Sequence, residues 1–158
     1  MRWPLRFVWR VHRPVLRNNE LEAIRGIDRP GFATETLSTL YAVSAGGNGL
    51  RQAIEKLCRS ASEAIASGAN ILVLSDRGVN AEWAPIPALL ATGAVHHHLI
   101  RESTRTRCGL VVETGEAREV AHFALLIGYG AGAINPYLAF ETVRELVDDA
   151  TYVPENLD

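Results

Sequence analysis

From residue 36 to residue 147, short apolar runs alternate with longer stretches whose apolar positions recur at three- and four-residue steps. The first run, 36–43 (TLSTLYAV), is rich in β-branched and large apolar side chains and stops at Gly46-Gly47, which predicts a strand. In the next segment Leu50, Ala53, Ile54, Leu57, Cys58, Ala61, Ala64 and Ile65 share one face, while Arg51, Glu55, Arg59, Ser62 and Glu63 mostly take the other. This is the pattern of an amphipathic helix, and Gly68 suits its left-handed stop. The run 70–75 (NILVLS) is apolar almost throughout, as in a parallel strand covered on both faces. Pro85 suits the first turn of a second helix that runs to about Ser103, apolar nearly all round and so expected to be well buried.

Residues 107–113 (RCGLVVE) predict a third strand. Thr114 is expected to cap a third helix, with Glu116 and Glu119 at its positive end and Val120, Phe123, Ala124 and Ile127 facing inward. The glycines of 128–132 end that helix; 133–137 is a short fourth strand, and 140–150 a fourth helix carrying Phe140, Val143 and Val147. Upstream, Asn19 is expected to cap a short helix that continues through Ile24 and stops at Gly26, before a turn at Pro30-Gly31. Residues 1–13, basic and aromatic without acids, read as an N-terminal tail, and 151–158 as a C-terminal one.

The order βαβαβαβα calls for right-handed crossovers and parallel pairing. The expected fold class is therefore α/β over residues 14–150, four consecutive β/α units with a parallel sheet. Four units are too few to close an eight-stranded barrel, so the architecture resembles a partial or truncated (β/α) barrel. Both sheet edges are then open to a partner or a further domain.

Composition narrows the class. At 158 residues, 47% hydrophobic and 22% charged, the chain has the mix of one globular domain with a real core. A net charge of −2 and a pI near 6.2 supply no surplus of clustered cations, so neither a nucleic acid nor a membrane surface is expected as partner. Apolar runs fall short of the roughly 18 residues needed to cross a bilayer. Cys58 and Cys108 are the two cysteines, distant in sequence and set among apolar neighbours, which excludes a disulfide scaffold or a four-cysteine zinc site. A cytoplasmic location with free thiols is the expectation.

In parallel β/α folds, function collects at the carboxyl ends of strands. Polar residues stand at four such ends: Ser44 with Asn48, Ser75-Asp76-Arg77, Glu113-Thr114, and Asn135. Asp76, Arg77, Glu113 and Asn135 are thus candidates for a polar ring around a small charged ligand. The competing structural reading makes them caps and loop anchors, with Asp76 and Arg77 paired. No nucleophile and base stand together, so no catalytic, cofactor-binding or metal-binding residue is assigned.

His96-His97-His98 do not read as a metal site, because consecutive helical residues point about 100° apart. His97 falls with Leu90, Ala94 and Ile100 on an apolar face, and His98 is placed to pair with Glu102. Gly128-Tyr129-Gly130-Ala131-Gly132 follows a helix rather than a strand, the wrong context for a dinucleotide loop. Gly46-Gly47-Asn48-Gly49 does open a helix, but no P-loop lysine follows.

The wording is more specific than the period. LSDRG, APIP with AVHHHLIR, VVETGEAREV, HFALLIGYGA and INPYLAFET occur in order at compatible spacings, preceded by RPVLRNNELEAIRGID and GGNGLRQAIEKLC. Together they resemble the central domain of the large (alpha) subunit of the glutamate synthase family, over about Pro14 to Val147. The resemblance implies a role in making two glutamates from glutamine and 2-oxoglutarate. It also implies a position between a glutaminase domain, whose N-terminal cysteine releases ammonia, and a synthase domain carrying FMN and an iron-sulfur cluster. Arg2 stands where processing would have to expose that cysteine, and two separated cysteines cannot make the cluster motif. The expectation is a connecting segment, silent in catalysis by itself, with no cofactor of its own. The alternative is a free-standing small β/α enzyme or ligand-binding domain using the polar strand ends.

Overall fold

The computed structural model describes residues 13–149. In chain order they form α1 (Asn18–Arg25), β1 (Thr34–Ser38), β2 (Leu40–Ala42), α2 (Gly46–Ala66), β3 (Ile71–Ser75), β4 (Trp83–Pro85), α3 (Ala88–Arg101), β5 (Gly109–Glu113), α4 (Val120–Gly128), β6 (Ala133–Asn135) and α5 (Tyr137–Asp148). The main sheet has the order β1-β3-β5-β6, and all its pairs are parallel. Each strand lies beside its predecessor in the sheet, the sequence of a barrel wall rather than the reversal of a doubly wound sheet. The α/β class and the partial-barrel architecture are as expected.

Alternation of side chains divides the sheet into two faces. On one, Leu37, Leu72, Leu74 and Leu110 pack against Leu57, Ala61 and Ile65 of α2 and Ala91, Val95 and Leu99 of α3. Val112 and Ile134 extend that face to Leu126 of α4. On the other, Ile71, Val73, Val111 and Ala133 are covered by Leu16 and by Leu21 and Ile24 of α1. Coverage on both faces explains the continuous apolar wording of β3, whose five residues are all buried.

Tertiary packing revises several local expectations. The run 36–43 is two strands: at Thr39 the chain leaves the sheet, its N–H donating to the Ser75 carbonyl at 2.9 Å, and Leu40–Ala42 turns away. There β2 pairs antiparallel with β4, so Pro85 lies in an edge strand, where its missing N–H is harmless, and α3 begins only at Ala88. Thr114 does not cap a helix, since α4 starts at Val120 after Glu119. The inward residue of α4 is Leu126, with Phe123 half-buried, while Val120, Ala124 and Ile127 are exposed. VAHFALLIG is apolar at nearly every position, so its pattern carries no phase. Asn19 lies inside α1, whose cap position is Arg17.

One sheet edge is closed. Val15 bridges Ile134 in parallel, with the Leu16 N–H donating to the Ile134 carbonyl at 2.8 Å and the Ile134 N–H to the Pro14 carbonyl at 2.7 Å. The chain entering α1 thereby pairs alongside β6 and fixes α1 over the sheet.

Candidate functional site

Strand register brings Ser38, Ser75, Glu113 and Asn135 into one row across the carboxyl ends of the sheet. Their spacing along each strand puts them on the face that α1 covers, next above Val73, Val111 and Ala133. The last turn of α1 adds Arg25, and the loops and helix after the strands add Asp76, Arg77, Thr114 and Tyr137.

Glu113 is the centre. It is only 1% exposed, and both its oxygens are filled. Oε2 accepts from Arg25 Nη2 at 2.5 Å and from the Ser75 hydroxyl at 2.5 Å; Oε1 accepts from Arg77 Nε at 2.6 Å. Burial alone would push the Glu113 carboxyl up. The hydrogen bonds from Arg25, Ser75 and Arg77 outweigh it and hold the group below the usual carboxylate range. Burial likewise works against the Arg25 charge, and its bonds to Glu113 and Glu22 more than restore it.

Arg77 stacks its guanidinium 4.0 Å from the centre of the Tyr137 ring and reaches Glu141 at 3.7 Å. It does not pair with Asp76. That buried carboxylate instead accepts the Thr114 hydroxyl at 2.6 Å and the Gly115 N–H at 3.0 and 3.1 Å. It also takes the Tyr137 hydroxyl; burial first, then Asp76, raise that phenol above its ordinary range. Asn135 donates from Nδ2 to the Leu16 carbonyl and to Asn18 Oδ1, both at 2.9 Å, while its buried Oδ1 has no partner among the described residues.

Asp76, Arg77, Glu113 and Asn135 therefore converge at the strand ends, joined by Arg25 and Tyr137, which sequence reasoning missed. Arg25 lies 88 residues from its partner, and only the presence of an acid at the end of a strand buried from Leu110 onward signals that a cation must come from somewhere. Ser44 and Asn48 do not join them; they are exposed around the start of α2. Chemically, a carboxylate held by two guanidinium groups and a hydroxyl is a poor base, because protonating it would give up at least one of these bonds and the charge that strengthens the others.

The histidines diverge. His96 Nδ1 accepts from Arg105 Nε at 2.9 Å, and burial together with the Arg105 charge lowers its proton affinity. His98 Nε2 meets the Ser62 hydroxyl at 2.8 Å rather than Glu102, and His97 is exposed instead of packed in the core. Gly130, with φ +112°, is a helix-stop residue whose carbonyl accepts from Arg105 at 2.7 Å. Among the described residues no three ligating side chains gather as a metal site would require, and no helix is long and apolar enough to cross a membrane.

The sequence matches the glutamate synthase central domain over residues 7–157. It is 41% identical over 140 residues to the glutamate synthase [NADPH] large chain of Bacillus subtilis (strain 168), covering 89% of this chain and 9% of that protein. To the glutamate synthase [NADH] of Schizosaccharomyces pombe the identity is also 41%, over 87% of this chain and 7% of the relative. The ferredoxin-dependent glutamate synthase of Pyropia yezoensis is 45% identical over 137 residues, 85% of this chain and 9% of the relative. The chain thus spans less than a tenth of the length of these curated relatives.

Proposed function

The chain belongs to the glutamate synthase central domain family, and we propose that it serves there as a connecting module, holding a glutaminase domain and an FMN-binding synthase domain in place while contributing no reacting group. The observation that carries this reading is the saturation of Glu113. The strand ends, where a β/α fold places its chemistry, are occupied by an internal clasp of Arg25, Ser75, Arg77 and Glu113. Such a clasp locks α1 to β3 and β5 and presents no free nucleophile or base.

The cofactors associated with glutamate synthases do not fit this chain's own residues. An iron-sulfur cluster is held by several thiolates, and the thiols here are Cys58 on α2 and Cys108 before β5, both buried and raised by that burial. A flavin phosphate would call for an uncommitted cation at the strand ends, and Arg25 and Arg77 are both committed to Glu113. FMN and the cluster are accordingly assigned to other parts of the enzyme, and the conversion of glutamine and 2-oxoglutarate to glutamate proceeds there, in the cytoplasm.

The test is to mix the purified chain with separately produced glutaminase and synthase domains. Co-elution and restored glutamine-dependent glutamate formation are expected, with no turnover by the chain alone. No binding and no restoration would refute the connecting role. A rise in melting temperature with amino acids, 2-oxo acids or FMN would favour a ligand-binding domain instead.

A further inference from the structure

Pairing of Val15 with β6 leaves the main sheet one open edge, β1. The Ala33 carbonyl accepts from the Ile71 N–H at 3.1 Å, and the Thr39 N–H donates to the Ser75 carbonyl at 2.9 Å. Alternation therefore directs the backbone of Glu35 and Leu37 to β3 and turns that of Thr34, Thr36 and Ser38 outward. No backbone N–H or C=O of those three residues has a hydrogen-bond partner among the described residues. The edge also lacks the proline or bulge that commonly blunts one.

Space and charge lie beside it. A groove of about 500 Å³ is lined by Leu37 and Ser38 of β1, Lys56 and Ser60 of α2, and Leu40 and Trp83 of the small sheet. Lys56 and Glu35 are both exposed, and neither has an ion-pair partner among the described residues.

We propose that β1 is a self-pairing edge: a second copy of this chain adds its own β1 antiparallel, across a two-fold axis at Thr36, joining the two sheets into one. Strand addition of this kind takes its affinity from main-chain hydrogen bonds. In this register Thr36 faces its counterpart and Thr34 faces Ser38 as hydrogen-bonded pairs, so every outward N–H and C=O of both strands is satisfied. Glu35 then faces Leu37 of the other copy, and because Leu37 shares the groove with Lys56, each Glu35 is set beside the other copy's Lys56. A charge on an edge ordinarily discourages pairing; here it complements a cation across the interface. Shifting the register by two residues one way sets Glu35 against Glu35, and the other way leaves Thr34 unpaired. Since both copies use the same edge and the β6 side is covered, the assembly closes as a dimer.

Five residues make a small interface and hence a weak one, so sedimentation equilibrium over about 1–500 µM chain is the test. A rise in mass from 17.3 kDa toward twice that value is expected, with slower amide hydrogen exchange at Thr34, Thr36 and Ser38 in concentrated samples. Thr36→Pro removes the outward N–H at the axis without touching the β3 pairing and should weaken the dimer at least about tenfold. Lys56→Glu should weaken it about three- to tenfold, and adding Glu35→Lys should restore it. Where the proline variant fails to fold, the charge swap decides by itself. A monomer throughout the range, association unmoved by Lys56→Glu, no recovery in the double variant, or masses that climb past the dimer would each overturn this inference. The connecting role does not depend on it and would stand in every case.

Discussion

Replacing Glu113 by Gln removes one charge and changes almost no volume, which makes it the sharpest probe of the strand-end clasp. Breaking a buried ion pair by neutralising one partner typically costs about 3–5 kcal/mol, because the remaining charge is left without compensation. Arg25 is the partner for which this holds, as its side chain is only 24% exposed. Arg77 is 43% exposed and keeps Glu141 and the Tyr137 ring, so its share is a surface contribution of about 0.5 kcal/mol. Arg25 also keeps Glu22, and a Gln oxygen still accepts from Ser75. These place the loss near the lower limit, about 3 kcal/mol. For a chain of this size that is a fall in melting temperature of roughly 6–12 °C.

Urea titration should show a lower midpoint with an unchanged slope, since the surface exposed on unfolding is the same. The sign of the pH dependence is determined as well. The folded carboxyl lies below its unfolded value, so in that interval the unfolded chain binds more protons, and acid favours unfolding. The stability contributed by Glu113 is present above the unfolded value of about 4.3 and is lost as pH falls through the folded one. The gap between parent and Glu113→Gln should therefore be full at pH 7 and close in acid. A variant within about 0.5 kcal/mol of the parent at pH 7 would show that the clasp stabilises nothing, and a gap that does not change with acid would show that the Glu113 charge is not its source.

Further expectations follow from individual sites. Gly130→Ala places a Cβ within the His96 ring at a φ of +112° and should cost at least about 1–3 kcal/mol, read as a lower urea midpoint; a neutral outcome would mean the α4 stop is not held by this contact. Leu72→Ala empties a fully buried position in the central strand and should cost about 2–5 kcal/mol by chemical denaturation. Cys58 and Cys108, whose thiols burial raises, should react with an aromatic disulfide reagent at pH 7 at least about tenfold more slowly in the native chain than in urea. Val143→Ser on exposed α5 should leave the isolated chain within about 0.5 kcal/mol of the parent.

The β/α order, the parallel pairing and the family were all legible in the residues. The period of three and four in α2 and the solid apolar run of β3 are local statements, and packing obeyed them. Legibility failed where the local pattern carried no phase or had two solutions. VAHFALLIG is apolar at almost every turn position, so only contact with Ile134 and Val112 selected Leu126 as its buried residue. TLSTLYAV is a good strand throughout, and only the hydrogen bonds of Thr39 to Ser75 and Ile86 divided it between two sheets. His98 had a suitable partner one turn on, and the nearness of α2 gave it Ser62 instead.

The strand-end residues show the same division. Sequence by itself determined that Asp76, Arg77, Glu113 and Asn135 would stand at the carboxyl ends of strands, because alternation and turn chemistry are properties of short segments. Tertiary structure decided their partners: Arg25 came from 88 residues away, Asp76 turned to Thr114 and Tyr137, and Asn135 reached back to Leu16. A buried charge must find compensation wherever the fold can supply it, and which distant residue arrives is set by strand order and helix placement rather than by any neighbour in the chain.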